Sequence, residues 1–86
     1  MNADQLALYH FDACPYCQRV RSALKRIDLQ IELRDIREQP TYREELVAAT
    51  GRGTVPCLRI QEAPGKARWM HESADIIAFL EQQFGN

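Results

Sequence analysis

The sequence predicts an α/β domain with the element order βαβαββα. Three observations carry that expectation: a stretch at residues 5–11 that is apolar on both sides, helical stretches with apolar residues at three- and four-residue spacing, and two short strand candidates around Pro64 and Gly65. In residues 5–11 (QLALYHF), Leu6 and Leu8 lie on one side and Ala7, Tyr9 and Phe11 on the other, as in a central strand buried on both faces. Pro15 suits a first helical turn, where its missing N–H costs nothing, and Val20, Ala23, Leu24 and Ile27 trace one apolar stripe behind it. Residues 31–36 alternate Ile31 and Leu33 with Glu32 and Arg34, the pattern of a half-exposed strand. A second helix is expected after Pro40, because Thr41 and Glu44 have capping-box spacing, Tyr42, Leu46 and Ala49 share a face, and Gly51 stops it. Residues 57–60 (CLRI) and 67–70 (ARWM) read as strands joined in a hairpin through Pro64 and Gly65. Ser73, as N-cap, opens a last helix with Ile76, Ile77, Leu80 and Phe84 facing one way before Gly85.

No internal repeat, low-complexity run or linker interrupts this series, so residues 1–86 are read as one small domain. Eleven basic against twelve acidic side chains leave a net charge of -1, which recommends neither nucleic acid nor an anionic membrane as a partner. No apolar run approaches the roughly 20 residues of a membrane span, and residues 1–4 lack the basic and apolar segments of a signal peptide. A cytoplasmic protein, monomeric, is expected.

Three cysteines, Cys14, Cys17 and Cys57, cannot form the even framework of a secreted scaffold, and in a reducing compartment a close pair is more often metal-binding or redox-active than a staple. In C-x-x-C at a helix start, the first sulfur sits where unpaired backbone N–H groups and the positive end of the helix dipole stabilise a thiolate. Cys14 is therefore the candidate nucleophile. Cys17, one turn on, is placed to attack a mixed disulfide at Cys14 and release the substrate thiol. A metal would need more ligands, and the chain has no second C-x-x-C or H-x-x-x-H, only Cys57, His10 and His71 scattered elsewhere. Spacing alone leaves redox exchange, metal binding and unreactive buried thiols open.

The remaining motifs narrow this. CPYC between a first strand and a first helix, TVP (Thr54 to Pro56) before the third strand, and HES (His71 to Ser73) before the last helix together make the chain resemble the glutaredoxins, over nearly its whole length. The last segment, WMHESADIIAFL, resembles the glutathione-binding N-terminal domains of two-domain glutaredoxins and glutathione transferases more than the Gly-Gly-x-Asp form of short glutaredoxins. What the resemblance implies is a thioredoxin-like fold, a four-stranded mixed sheet flanked by three helices, with Pro56 cis and its loop beside the Cys14 sulfur. It further implies that Val55 pairs its backbone with the cysteinyl part of glutathione, that Glu72 and Ser73 bind the γ-glutamyl group, and that Tyr16, Thr54 and Pro56 complete the site. Short glutaredoxins carry a cation three positions before the first cysteine and often another just before TVP. Here Phe11 and Gly53 stand in those places, with Arg52 one position away.

The expected activity is that of a dithiol glutaredoxin, reducing glutathione mixed disulfides and protein disulfides with Cys14 and Cys17 as catalytic residues. Glutathione is its reducing co-substrate, regenerated indirectly through glutathione reductase, and no metal or prosthetic group is expected. The alternatives are a metal or iron-sulfur carrier and a non-catalytic glutathione-binding module. Other conspicuous residues read structurally: Cys57 as a small buried strand residue, His10 and His71 as structural or exposed, Trp69 and Tyr42 as core or cover. Arg19, Arg21, Lys25 and Arg26 read as the solvated face of the first helix, and Tyr16 as exposed beside the cysteines.

Overall fold

A computed structural model describes residues 1–85; the final position of the expected 1–86 unit lies outside them. After a single 3-10 turn at Ala3–Gln5, the elements are β1 (Leu6–His10), α1 (Pro15–Arg26), β2 (Glu32–Asp35), α2 (Pro40–Thr50), β3 (Cys57–Ala63), β4 (Lys66–Met70) and α3 (Ser73–Phe84). They build a four-stranded mixed sheet in the order β2-β1-β3-β4. β1 runs parallel to β2 and antiparallel to β3, and β3 runs antiparallel to β4.

β1 is buried along its whole length, and its alternation sorts two cores. Leu6 and Leu8 point to one face, where they meet Val20 and Leu24 of α1, Leu58 and Ile60 of β3, and Ile76 and Leu80 of α3. Ala7 and Tyr9 point to the other, with Ile36, Leu46 of α2 and Cys57. The sheet thus lies between α1 and α3 on one side and α2 on the other, in the thioredoxin-like arrangement the resemblance implied.

Several expectations about local structure are corrected. α2 begins at Pro40 with Gln39 as its cap and no side-chain cap bond, because proline's fixed φ is preorganised for the first helical position; the Thr41/Glu44 capping box does not form. Leu46 is the buried residue of α2, while Ala49 is exposed. Gly51 does end the helix, at φ 81.

Before and at the start of β2 the expected alternation holds, with Ile31 packed on the first core and Glu32 exposed, but the next pair is exchanged. Leu33, expected inside, is 46% exposed. Arg34, expected outside, is half-buried over the rings of Tyr9 and Tyr42 and bonds the Tyr9 hydroxyl at 2.7 Å and Glu45 Oε1 at 2.8 Å. α2 covers the Arg34 side of this edge strand, and apolar stem plus aromatic faces make a guanidinium acceptable there.

Candidate functional site

The sheet topology brings three loops to one end. Tyr9 opposes Cys57, so the end of β1 and the start of β3 are neighbours; Leu58 opposes Met70, so β4 ends at the same edge. Residues 11–14 follow β1, residues 54–56 precede β3, and residues 71–73 follow β4. The Val55–Pro56 bond is cis, as expected. Phe11, Val55 and Trp69 all pack against the core cluster of Tyr9 and Cys57.

Cys14 caps α1. Its backbone is extended (φ -70, ψ 119), Pro15 occupies the first helical position, and the Cys14 Sγ accepts the Cys17 backbone N–H at 3.4 Å. Here a sulfur takes the place that a side-chain oxygen takes at an ordinary N-cap. All three cysteines are free thiols. Cys14 keeps 6% of its surface exposed and Cys17 none. Burial, and then the hydrogen bond with Cys14, push the Cys17 thiol up to about 12, against a backbone hydrogen bond from Phe11 and the charge of Arg21. Cys57 is enclosed, and burial pushes its thiol up to about 11, matching its reading as a structural strand residue. Tyr16 is 59% exposed beside the pair.

At the start of α3 the cap is Glu72, not Ser73. Glu72 has φ 73 and ψ 112, makes no side-chain cap bond, and leaves Ser73 as the first helical residue, buried at 9% exposure. Glu72 O accepts the Ile76 N–H at 3.0 Å, closing the first turn below the free N–H groups of that terminus. Thr54 is exposed and Val55 half-buried. His71 lies beside Arg52; burial and then that cation hold its ring below the usual histidine range, with Glu72 opposing.

Two cations near the site escaped the sequence reading. Arg37 stacks over the Phe11 ring at 3.7 Å from its centroid, and the Arg43 guanidinium lies 3.1 Å from where a Cβ on Gly53 would stand. Gly53 therefore leaves room for a cation directly before Thr54. The signal was its lack of a side chain, legible only once α2 was known to pass beside it.

Arg21 departs from expectation as well, being half-buried and bonded to the chain around His10, while His10 is itself buried, in line with its structural reading. A groove of 720 Å³ between α1 and β2, which includes Leu24, Leu29 and Leu33, holds none of the expected site residues. Among the described residues no three His, Cys, Asp or Glu side chains are grouped to hold a metal, and no helix is long and apolar enough to cross a membrane.

Residues 8–86 match the glutathione S-transferase N-terminal domain family. The chain belongs to that family. A search of curated proteins found no match. Among solved structures, a glutathione transferase homolog from Drosophila mojavensis with bound glutathione is similar at 24% identity and a TM-score of 0.76, over 95% of this chain and 36% of that one. An epsilon-class glutathione S-transferase from the housefly, Musca domestica, is 28% identical, with a TM-score of 0.70 over 94% and 36% of the two chains. A maleylacetoacetate isomerase from Anaeromyxobacter dehalogenans with bound dicarboxyethyl glutathione is 27% identical, with a TM-score of 0.68 over 93% and 37%. This transferase-family domain thus spans little more than a third of the length of these relatives, and carries the sequence CPYC at the start of α1.

Proposed function

We propose that the protein is a glutathione-dependent thiol-disulfide oxidoreductase that reduces glutathionylated proteins and protein disulfides. The observation that carries the reading is the asymmetry of the pair: Cys14 is the cap of α1 and, though buried, still has 6% of its surface open to solvent, whereas Cys17, one turn on, has none and its thiol is pushed up to about 12. Cys14, as thiolate, attacks the glutathione sulfur of a mixed disulfide, the substrate protein leaves as a thiol, and a second glutathione returns Cys14 to its reduced form. With a protein disulfide, Cys17 displaces the substrate from Cys14, and the resulting Cys14–Cys17 disulfide is reduced by two glutathiones.

Glutathione lies across the three loops in this reading. The Val55 backbone pairs with its cysteinyl part, Ser73 and the free N–H groups of α3 take the γ-glutamyl carboxylate, and Arg43 faces the glycyl carboxylate in the room left by Gly53. Thr54, Pro56 and Glu72 shape the walls, and exposed Tyr16 borders access to Cys14. The reducing cytoplasm, with its glutathione pool, is the compartment that suits such chemistry.

The test is an NADPH-coupled assay on a glutathione mixed disulfide. Turnover with glutathione and glutathione reductase, none with thioredoxin reductase, and none for Cys14→Ser is the expected result; turnover by Cys14→Ser overturns it. Family membership and similarity to transferases favour a second reading, in which the domain presents glutathione to an electrophile. Conjugation of a chloronitrobenzene without thiol exchange would decide for that reading.

A further inference from the structure

Arg21 sits on α1 one turn beyond Cys17 and reaches back to the strand that precedes the site. Its Nη1 donates to His10 Nδ1 at 2.8 Å and to the Phe11 carbonyl at 3.3 Å, and its Nη2 donates to the Asp12 carbonyl at 2.8 Å. A guanidinium only donates, so His10 offers the Nδ1 lone pair and carries its proton on Nε2. The three acceptors are consecutive residues, the last of β1 and the first two of the loop into Cys14. The Phe11 carbonyl also accepts the Cys14 N–H at 3.2 Å, and Gln18 Nε2 reaches the Asp12 carbonyl at 3.4 Å. Helix α1 thus grips the loop that leads into it, and the buried Cys17 lies on the same helix one turn before that grip.

We propose that Arg21, seated on His10, is a positioning residue for the resolving step: it fixes the backbone of residues 10–12 beside Cys17 and so sets how fast Cys17 attacks a mixed disulfide on Cys14. The proposal rests on the thiol-disulfide reading above. In that step the Cys17 thiol gives its proton to solvent, a Cys17–Cys14 sulfur bond forms, and the bond from Cys14 to the glutathione sulfur breaks. Glutathione leaves as a thiolate and takes up a proton; one disulfide replaces another, with no net change in oxidation state.

The environment of Cys17 explains why its placement matters. Burial and Cys14 oppose ionisation of this thiol, while the Phe11 backbone and Arg21 favour it. Both favourable groups belong to the gripped segment or to the group that grips it. Removing Arg21 therefore removes one directly and frees the other.

The grip also has a proton dependence. His10 is faced by Arg21 from α1, by Asp35 at the end of β2, by Asp12 in its own loop and by Glu38 ahead of α2; burial and then Arg21 hold its ring below the usual range, and the three carboxylates oppose them. Protonating Nδ1 removes the acceptor and sets two cations face to face. Acid should therefore release Arg21.

The experiment mixes the full chain with glutathione disulfide, quenches at intervals, and follows by intact mass the reduced, glutathionylated and internally disulfide-bonded forms. Cys17→Ser should stop at the glutathionylated form; if it does not, or if the parent never loads glutathione, the thiol-disulfide reading itself fails. For Arg21→Gln and Arg21→Lys, conversion to the internal disulfide should fall about tenfold relative to loading, since an amide has two N–H donors and an ammonium gathers its three on one atom, so neither spans acceptors that the guanidinium reaches from two nitrogens. His10→Asn keeps an acceptor that does not titrate, so it should convert near the parental rate at neutral pH and lack the parent's additional loss at acid pH, below the usual histidine range. Parental conversion relative to loading in both Arg21 variants, or the same acid loss in His10→Asn, overturns the proposal. Should Arg21→Gln melt below the assay temperature, Arg21→Lys and His10→Asn decide alone.

Discussion

Under iodoacetamide the three thiols should separate by orders of magnitude. Burial pushes Cys17 up to about 12 and Cys57 up to about 11. At about pH 8 the ionised fraction is then about one in ten thousand for Cys17 and about one in a thousand for Cys57, against about one in four for an ordinary thiol of pKa about 8.5. Both sulfurs are also fully enclosed, whereas Cys14 keeps some exposed surface. Only the thiolate is alkylated, so both factors act in the same direction and labelling should be confined to Cys14 until the chain opens. The assay is timed alkylation of the reduced protein, quenching, proteolysis and peptide mass mapping, with a sample in denaturant to show that all three sites react once exposed. Label on Cys17 or Cys57 within about tenfold of the rate at Cys14 would refute the assignment of nucleophile and resolving thiol.

Three further outcomes are expected. Because Ser73 is the first residue of α3 and not its cap, Ser73→Ala should lose much less than the roughly 1 kcal/mol of a missing N-cap. It should nevertheless slow turnover of a glutathione mixed disulfide, against a small disulfide lacking the γ-glutamyl group, by about 0.5 to 3 kcal/mol; thermal melts and the two rates check both halves. Gly53→Ala, whose Cβ would meet the Arg43 guanidinium at 3.1 Å, should raise the apparent KM for glutathione about threefold to tenfold, an effect that salt diminishes, and Arg43→Ala should do the same. Finally, Cys17 and Cys57 hold their protons more tightly folded than unfolded, so the stability they contribute is complete below about pH 8.5 and is lost as pH rises toward their folded values. Urea melts between about pH 8.5 and about pH 10 should show a slope near 1.4 kcal/mol per pH unit for each thiol, reduced by one share in Cys57→Ala.

What was legible in the sequence was what local periodicity records. The double-sided apolar pattern of Leu6, Ala7, Leu8 and Tyr9 announced a central strand, Cys14-Pro15 announced a helix start, and Ile76 with Leu80 announced a buried helical face. The fold followed from these and from the motifs in their order. What was not legible depends on partners distant in the chain. Arg34 looked solvated because its rings and carboxylate come from β1 and α2, and Arg21 looked solvated because its acceptors are a histidine ring and two carbonyls that no pattern marks. Arg43 was invisible beside Gly53 for the same reason. Ser73 was misplaced by one residue because a serine before an apolar helical run is the usual cap signal, and Glu72 takes that position with a positive φ that the sequence does not advertise.

The most direct measurement compares the parent with Cys17→Ser on two substrates, a glutathionylated peptide and a protein disulfide, with glutathione and glutathione reductase present. A site in which Cys14 alone takes the glutathionyl group and Cys17 only resolves should leave the first rate within about twofold of the parent and abolish the second. Loss of both rates together, or survival of both, would contradict the division of labour between the two cysteines.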